Sequence, residues 1–191
     1  KEFLFIFDHA YLLHDFLPSA EQTPAWELAN KFDAQDQTAI FCSFSKVTFG
    51  GGGLSFAAAG TKLFDLLSKQ RASMIVCSDK VNQLRHLGFL KNKAEVENHM
   101  KKHADLVRPK FEAAFNALDA MSPEIGNYKK PTGGYFISFN ASKPIAKRVI
   151  ELCKEAGVLI TPAGSTYPHF NDPQDSNIRL APTFLGLDDL K

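Results

Sequence analysis

Short, uninterrupted apolar runs mark the first sixty residues. Residues 3–7 form one such run, bounded by Asp8, and residues 39–43 form a second. A third run, residues 54–59, follows four consecutive glycines. All three are predicted as strands, and the run at residues 3–7, too short for a helix, is typical of a strand covered on both faces of a parallel sheet. We therefore predict an α/β layer whose first strand ends at Asp8.

Helical periodicity replaces this pattern further along the chain. Residues 61–71 and 81–90 are predicted as helices, and from residue 94 apolar side chains recur at spacings of three, four and seven. The recurring positions are Val96, Met100, Val107, Phe111, Phe115 and Leu118. Such spacing places them on one face of a long helix. Pro109 lies within it, so we expect a kink or a division into two shorter helices.

A smaller α+β unit is predicted after the turn-like sequence MSPEIGN. Its helix covers residues 145–153, with Ser142 as the N-cap and Gly157 just beyond the end. The predicted strands are residues 134–139, 158–160 and 177–181.

These elements divide the chain into three parts. Residues 1–92 are predicted to be part of a large domain with a mainly parallel sheet, residues 93–122 a connecting helix, and residues 123–191 a small α+β domain. The chain opens without an initiator Met, directly in a strand-like run, and closes on what resembles the first turn of a helix. We therefore expect it to be the C-terminal piece of a longer protein, with the small domain truncated.

The amino-acid composition and charge limit the kinds of binding partner that the chain can have. Of 191 residues, 45% are hydrophobic, and 22 basic against 21 acidic residues leave a formal net charge of +1 with no block of five like charges. This balance argues against a nucleic-acid surface or a polybasic membrane patch. No apolar run approaches the roughly 20 residues that span a bilayer. Cys42, Cys77 and Cys153 are widely spaced, which predicts buried thiols in a cytoplasmic protein.

Asp8 and Lys46 are the first candidates for chemistry, because each lies at or just past the carboxyl end of a predicted strand, where open α/β sheets bind ligands. An isolated Asp8 could equally be a turn carboxylate. Lys46 could be a surface lysine or a phosphate-binding lysine, although Val47 follows it and the glycines come later, unlike a Walker loop. It could also be a Schiff-base lysine in an apolar pocket, with Ser43 and Ser45 as hydroxyl donors to an anion.

Arg179, in the sequence NIRLAP, is the other candidate. On a strand, Ile178 and Leu180 would face one side and Arg179 the other. It could be an edge arginine in water or a bidentate clamp for a carboxylate. His99 and His103 are four residues apart on the long helix, but no third ligand accompanies them, so we expect a solvated helix face and no metal site.

Four motifs in this order, FDHAY, SFSK, PTGGYF and NIRLAP, resemble the fold-type I pyridoxal-phosphate-dependent aminotransferases. More narrowly, the chain is similar to a bacterial aspartate aminotransferase-like branch in which glycines follow the lysine. The resemblance spans almost all 191 residues. It implies the second half of the family's large cofactor-binding domain and most of its small domain.

The resemblance also implies roles for the candidates. Asp8 would face the pyridine nitrogen of pyridoxal 5'-phosphate, and Tyr11 would donate to its phenolic oxygen. Lys46 would hold the cofactor as a Schiff base and then shuttle a proton. Ser43 and Ser45 would bind the phosphate. The family's better-known members carry a phosphate-binding arginine several residues after the lysine, and the sequence VTFGGGGLSF has none.

By the same resemblance, Arg179 would bind the α-carboxylate of the substrate. The implied activity is transfer of an amino group between an α-amino acid, aspartate first, and a 2-oxo acid, 2-oxoglutarate first, by a homodimer. The 191-residue chain alone is expected to be inactive. The alternatives are another enzyme of this fold, such as a β-lyase or decarboxylase, and an effector domain of a transcription regulator. A cofactor-free lysine aldolase would leave Asp8 and Tyr11 without roles.

Overall fold

The computed structural model describes residues 3–17 and 24–190. The chain forms two compact units, Lys1–His103 and Ala104–Lys191, and the division falls inside one long helix, α4 (Lys93–Asp119). The predicted three-part domain division stays a prediction. None of the helices in the described ranges is long and apolar enough to cross a membrane.

The first unit contains a three-stranded sheet in the order β1-β2-β3. β1 (Phe5–His9) runs parallel to β2 (Thr38–Ser43), and β3 (Ser55–Ala59) pairs antiparallel with β2. Its further elements are a 3-10 turn (Gln35–Gln37) and the helices α1 (Ala25–Lys31), α2 (Thr61–Met74) and α3 (Lys80–Phe89). Sheet and helices together confirm the α/β class.

Local chemistry fixes where β2 and α3 begin. Thr38 is buried at the start of β2, and its hydroxyl donates to the Ala34 carbonyl at 2.8 Å. Asp79 is the N-cap of α3, because its carboxylate accepts the Asn82 backbone N–H at 3.0 Å. A side chain that accepts from the first helical turn satisfies an N–H that has no partner within the helix.

The side chains of β1 are more exposed than the sequence predicts. The apolar run predicted a strand packed on both faces, but Phe5 is 48% and Ile6 66% exposed. Among the described strands, β1 pairs only with β2. Its apolar composition therefore exceeds what the described part of the chain covers.

The second unit contains an antiparallel sheet in the order β4-β5-β6. Its elements are β4 (Gly126–Tyr128), β5 (Ile137–Ala141), α5 (Ala146–Glu155), a 3-10 turn (Pro168–Phe170), β6 (Asn177–Leu180) and α6 (Leu187–Leu190). Phe139, Ala141, Ala146 and Ile178 form its core, and Leu180 packs against them. Ile178 and Leu180 therefore face inward, which directs Arg179 to the other face of β6, as predicted.

Two local predictions for the second unit are wrong, and one strand was not predicted. The N-cap of α5 is Ile145, not Ser142, and the N–H of Lys147 is accepted by the Asp175 carboxylate at 3.2 Å, so a distant residue does the capping. Residues 158–160 are not a strand. The turn-rich sequence around Gly126 contains β4, which sequence analysis missed.

The long helix is uninterrupted. α4 continues through Pro109, so the alternative of two separate helices is wrong. The predicted apolar stripe is confirmed, because Met100, Val107, Phe111 and Phe115 are all buried. Burial of this stripe supplies the apolar stabilisation that offsets the backbone hydrogen bond lost at a proline.

Candidate active site

Asp8 and Ser43 lie on one face of the first sheet. The parallel register pairs Asp8 with Phe41 and His9 with Cys42. Because alternate residues of a strand point to the same side, Ser43 shares the face of Phe41 and hence that of Asp8. Asp8 is within β1 and not beyond it, one residue before the strand ends. The carboxyl edge of the β1–β2 pair thus presents a carboxylate and a hydroxyl together.

Ser43 and Ser45 form a hydroxyl pair at the end of β2. Their Oγ atoms are 2.7 Å apart, and the Ser45 N–H donates to the Ser43 Oγ at 3.0 Å. Each hydroxyl has a single proton, and one of the two is used between them. While this bond persists, the pair has one O–H left to donate to an anion.

The loop between β2 and β3, residues 44–54, is closed at its base and tightly turned. The Phe44 N–H donates to the Leu54 carbonyl at 2.7 Å, and the Phe44 carbonyl accepts the Thr48 N–H at 2.9 Å. A Cβ added at Gly53 would overlap the Ser45 backbone nitrogen and Oγ. Gly53 is therefore required by the close approach of its backbone to Ser45, whereas a Cβ at Gly50 would meet no atom within 4 Å.

Three histidines hold this loop from outside. The His14 Nε2 lies 3.1 Å from the Lys46 carbonyl oxygen, and the His99 Nε2 lies 2.7 Å from that of Val47. His86 Nε2 is 2.9 Å from the Thr48 hydroxyl. Carbonyl oxygens only accept, so His14 and His99 carry their protons on Nε2.

Tyr11 reaches the loop through His14. The Tyr11 and His14 rings are 5.3 Å apart in an edge-on contact, and the His103 ring also meets His14 edge-on, at 5.2 Å. Burial lowers the pKa of His14 below its usual 6.5. The pKa of His103 is lowered by burial and then by the neighbouring His14 and His99. Both effects disfavour a charged imidazole next to the loop.

Lys46 is exposed, in contrast to the predicted apolar pocket. The described residues hold the Lys46 backbone and leave its side chain at the surface. Cys77 is also exposed, which corrects the prediction of three buried thiols. Cys42 is half-buried, and burial raises the pKa of its thiol, as expected for a packing residue rather than a nucleophile.

Arg179 belongs to the second unit and is half-buried on β6. Its guanidinium carbon lies 4.7 Å from the centre of the Phe136 ring, and its Nε donates a long 3.4 Å hydrogen bond to the Thr161 hydroxyl. With Nε engaged, the two terminal nitrogens remain as the pair that can bind a carboxylate in a bidentate manner. Phe136 and Thr161 were not identified from the sequence.

The contacts of the histidines were not predicted from the sequence, and the expected solvated face for His99 and His103 is wrong, since both rings make contacts within the protein. His103 lies three residues after Met100 and four before Val107, both buried on α4. That spacing places it on the apolar stripe and was the available signal. Within residues 3–17 and 24–190, no group of three histidine, cysteine or acidic side chains is arranged to hold a metal ion.

A Gly53→Ala substitution should destabilise the protein because its methyl group would displace Ser45. We expect a loss of about 1–3 kcal/mol in the free energy of unfolding, typical of an overpacked site. The matched control Gly50→Ala should stay within about 0.5 kcal/mol, as surface changes do. Urea unfolding measures both, and equal losses would contradict the close approach at Gly53.

The lowered pKa values of His14 and His103 predict a pH dependence of stability. The ordinary pKa of a histidine side chain is 6.5. Below that pH, these two side chains bind protons in the unfolded chain but not yet in the folded one. The free energy of unfolding should therefore decrease as the pH falls through 6.5 towards the lowered native pKa values. Above about pH 7, where both histidines are neutral in either state, this loss of stability should be absent. His14→Gln with His103→Gln should flatten this slope in urea titrations, whereas the exposed His169→Gln should not. A slope unchanged in the double variant would show that other groups cause it.

Known proteins of similar sequence and structure identify the family of the chain. The chain is 24% identical over 174 residues to the HTH-type transcriptional regulator NorG of Staphylococcus aureus, covering 90% of this chain and 37% of the regulator. The fold is shared with LysN, the α-aminoadipate aminotransferase of Thermus thermophilus, solved in complex with N-(5'-phosphopyridoxyl)-L-leucine, at a TM-score of 0.78 and 23% identity over 98% of this chain and 47% of LysN.

Two curated relatives match the whole chain, which spans 45% of the length of each. One is a candidate aminotransferase of Mycolicibacterium smegmatis at 37% identity, and the other is the aspartate aminotransferase of Corynebacterium glutamicum at 33%. The crystal structure of an aspartate transaminase from C. glutamicum superposes with a TM-score of 0.91 at 32% identity, covering 99% of this chain and 45% of that one. All 191 residues match the sequence model of the family described as aspartate amino-transferase. The chain belongs to the aspartate aminotransferase family.

Proposed function

We propose that this chain carries the reacting lysine and the carboxylate-binding arginine of a pyridoxal-phosphate-dependent aminotransferase. The observation that carries the proposal is the carboxyl edge of the β1–β2 pair, where Asp8 and Ser43 share a face and the next loop bears Lys46. The substrates proposed are aspartate and 2-oxoglutarate, in line with the C. glutamicum relative's name. Because the chain spans 45% of its relatives, the activity is proposed for the full-length protein.

The side chains at this edge fit the cofactor by their chemistry. A carboxylate, a phenol, an amine and a hydroxyl pair match a pyridine nitrogen, a phenolic oxygen, an aldehyde and a phosphate. The 2.7 Å contact between the Ser43 and Ser45 hydroxyls supports the last of these, because it leaves an O–H to donate to an anion. Backbone N–H groups of the glycine run are the proposed substitutes for the arginine that the sequence lacks.

Each residue has a proposed task. When bound, pyridoxal 5'-phosphate supplies an electron sink that stabilises negative charge at the substrate's α-carbon. Asp8 would keep a proton at the pyridine nitrogen, and Tyr11 would donate to the phenolic oxygen. Lys46 Nζ would hold the cofactor through its aldehyde with loss of water and, once released, would move the proton taken from the α-carbon. Arg179 binds the α-carboxylate through its two terminal nitrogens.

We also propose a homodimer. The helices α2 and α3 expose large apolar side chains, among them Phe64, Leu66, Leu84 and Leu87, and α2 has no buried residue. An apolar surface of this kind is typical of an interface. A second copy of the chain is the proposed cover.

An effector domain of a transcription regulator is the second candidate, supported by the similarity to NorG. The same cofactor contacts would serve sensing, since a regulator needs binding without turnover. The two functions differ in one measurement: the full-length enzyme releases a 2-oxo acid from an amino-acid donor, whereas the regulator binds the cofactor and releases none.

Replacing Lys46 by Ala should abolish covalent binding of the cofactor, because the amine that forms the bond is gone. The full-length protein is mixed with pyridoxal 5'-phosphate, reduced with borohydride and mapped by mass spectrometry. The wild type should carry the label on Lys46, and Lys46→Ala should show none in the active site. The control Lys62→Ala removes a lysine whose side chain is 85% exposed and should label normally. A reducible adduct that persists at the active site of Lys46→Ala would overturn the assignment.

Arg179→Lys should raise the KM for the amino-acid substrate roughly 10- to 100-fold, because lysine cannot reproduce two parallel hydrogen bonds to a carboxylate. Steady-state kinetics of the full-length protein measures this. The control is Arg148→Lys, an exposed arginine of α5 paired with Glu151 at 3.1 Å, which should leave KM unchanged. An unaltered KM in Arg179→Lys would assign carboxylate binding to another residue.

A further inference from the structure

In the loop between β2 and β3, residues 44–54, three consecutive residues each form a hydrogen bond with a different histidine. Lys46 is held by His14, Val47 by His99 and Thr48 by His86. We call these three histidines the histidine clamp. They come from three separate elements: the segment after β1, α3 and α4. Three adjacent residues of the loop are thus each held by an imidazole from a different element.

Each histidine of the clamp is itself fixed. His14 is 3% exposed. His86 is 5% exposed, and its Nδ1 donates to the Asn82 carbonyl at 2.9 Å. The ring of His99 meets that of Phe89 at 5.1 Å. With Nδ1 donating, the neutral His86 ring accepts from the Thr48 hydroxyl at Nε2, whereas His14 and His99 donate to carbonyl oxygens. An imidazole that packing immobilises can hold its hydrogen-bond partner without losing further side-chain entropy.

We propose that the histidine clamp positions Lys46 for the chemistry, and that His14 couples Lys46 to Tyr11. His14 serves both, because its Nε2 donates to the Lys46 carbonyl and its ring packs against the Tyr11 ring. The three histidines are positioning residues, since none is assigned a contact with a reacting atom. This inference rests on the proposed function of Lys46.

The clamp holds the backbone of the loop at Lys46, while the Lys46 side chain lies at the surface. Val47 is 4% exposed and fastened, whereas Lys46 is exposed. The clamp holds the backbone at Lys46 and thereby fixes the direction of the Lys46 Cα–Cβ bond. A displacement of about 1 Å at such an anchor can lower a reaction rate on the order of 100-fold.

Paired substitutions at His14 and His99 test the clamp. In His14→Leu and His99→Leu the donor is lost, while the glutamine amide of His14→Gln and His99→Gln can replace the Nε2–H. In the full-length protein, we expect each leucine variant to label Lys46 with pyridoxal 5'-phosphate and borohydride roughly five- to tenfold more slowly, the effect of one lost buried hydrogen bond. The glutamine variants should stay within about twofold.

A second readout needs no cofactor. Amide hydrogen exchange of peptides covering residues 44–54 should accelerate by a similar factor in the leucine variants and not in the glutamine variants. The control is Met100→Ala, which removes a buried side chain next to His99 that has no N–H to donate. A purely structural role predicts that Met100→Ala slows labelling as much as His99→Leu at equal loss of stability, and that result would overturn the proposal.

The outcomes separate the two proposals. If the wild type is not labelled at Lys46, the proposed function fails, and hydrogen exchange still decides on the clamp. Normal labelling and exchange in both leucine variants would overturn the clamp alone, as would glutamine variants that behave like leucine ones. If a leucine variant does not fold, nitrogen NMR of histidine-labelled wild-type protein decides: the clamp requires the Nε2–H tautomer at His14 and His99, and the Nδ1–H tautomer at either contradicts it.

Discussion

Backbone hydrogen bonding between β1 and β2 in a parallel register is the constraint on which the rest of the first unit depends. It brings two carboxyl ends to one edge of the sheet, and the antiparallel return of β3 forces the intervening loop to turn at that same edge. A slip of one residue would move Ser43 to the opposite face from Asp8. The position of Lys46 thus follows from strand pairing before any side chain of the site is considered.

The loop that follows has two kinds of support. From within, the small size of Gly53 lets the chain fold back against Ser45, which holds the hydroxyl pair in place. From outside, imidazole donors occupy the carbonyls of Lys46 and Val47. The support from within requires a residue without a Cβ at position 53, and the support from outside requires imidazole groups that are largely removed from water. Both are unfavourable in an ordinary surface loop, where glycine costs entropy and buried imidazole costs solvation.

Local patterns predicted the elements well and their partners poorly. The apolar run before Ser43 and the stripe on α4 identified β2 and the long helix, because both signals depend on residues close in sequence. The capping of α5 by Asp175 and the donation from His99 to Val47 involve residues 28 and 52 positions apart, respectively. No periodicity encodes such contacts. The ordered motifs located the candidate residues, yet the polar groups that hold them emerged only from the fold.

Two members of the clamp, His14 and His99, act on carbonyl groups, which every residue possesses. A change of the side chain at position 46 therefore leaves His14 and His99 their acceptors, and the loop keeps its shape. In evolutionary terms, the covalent chemistry proposed for Lys46 can be gained or lost by a single substitution with little cost in folding. That separability offers a physical route between catalysts and sensors built on the same scaffold.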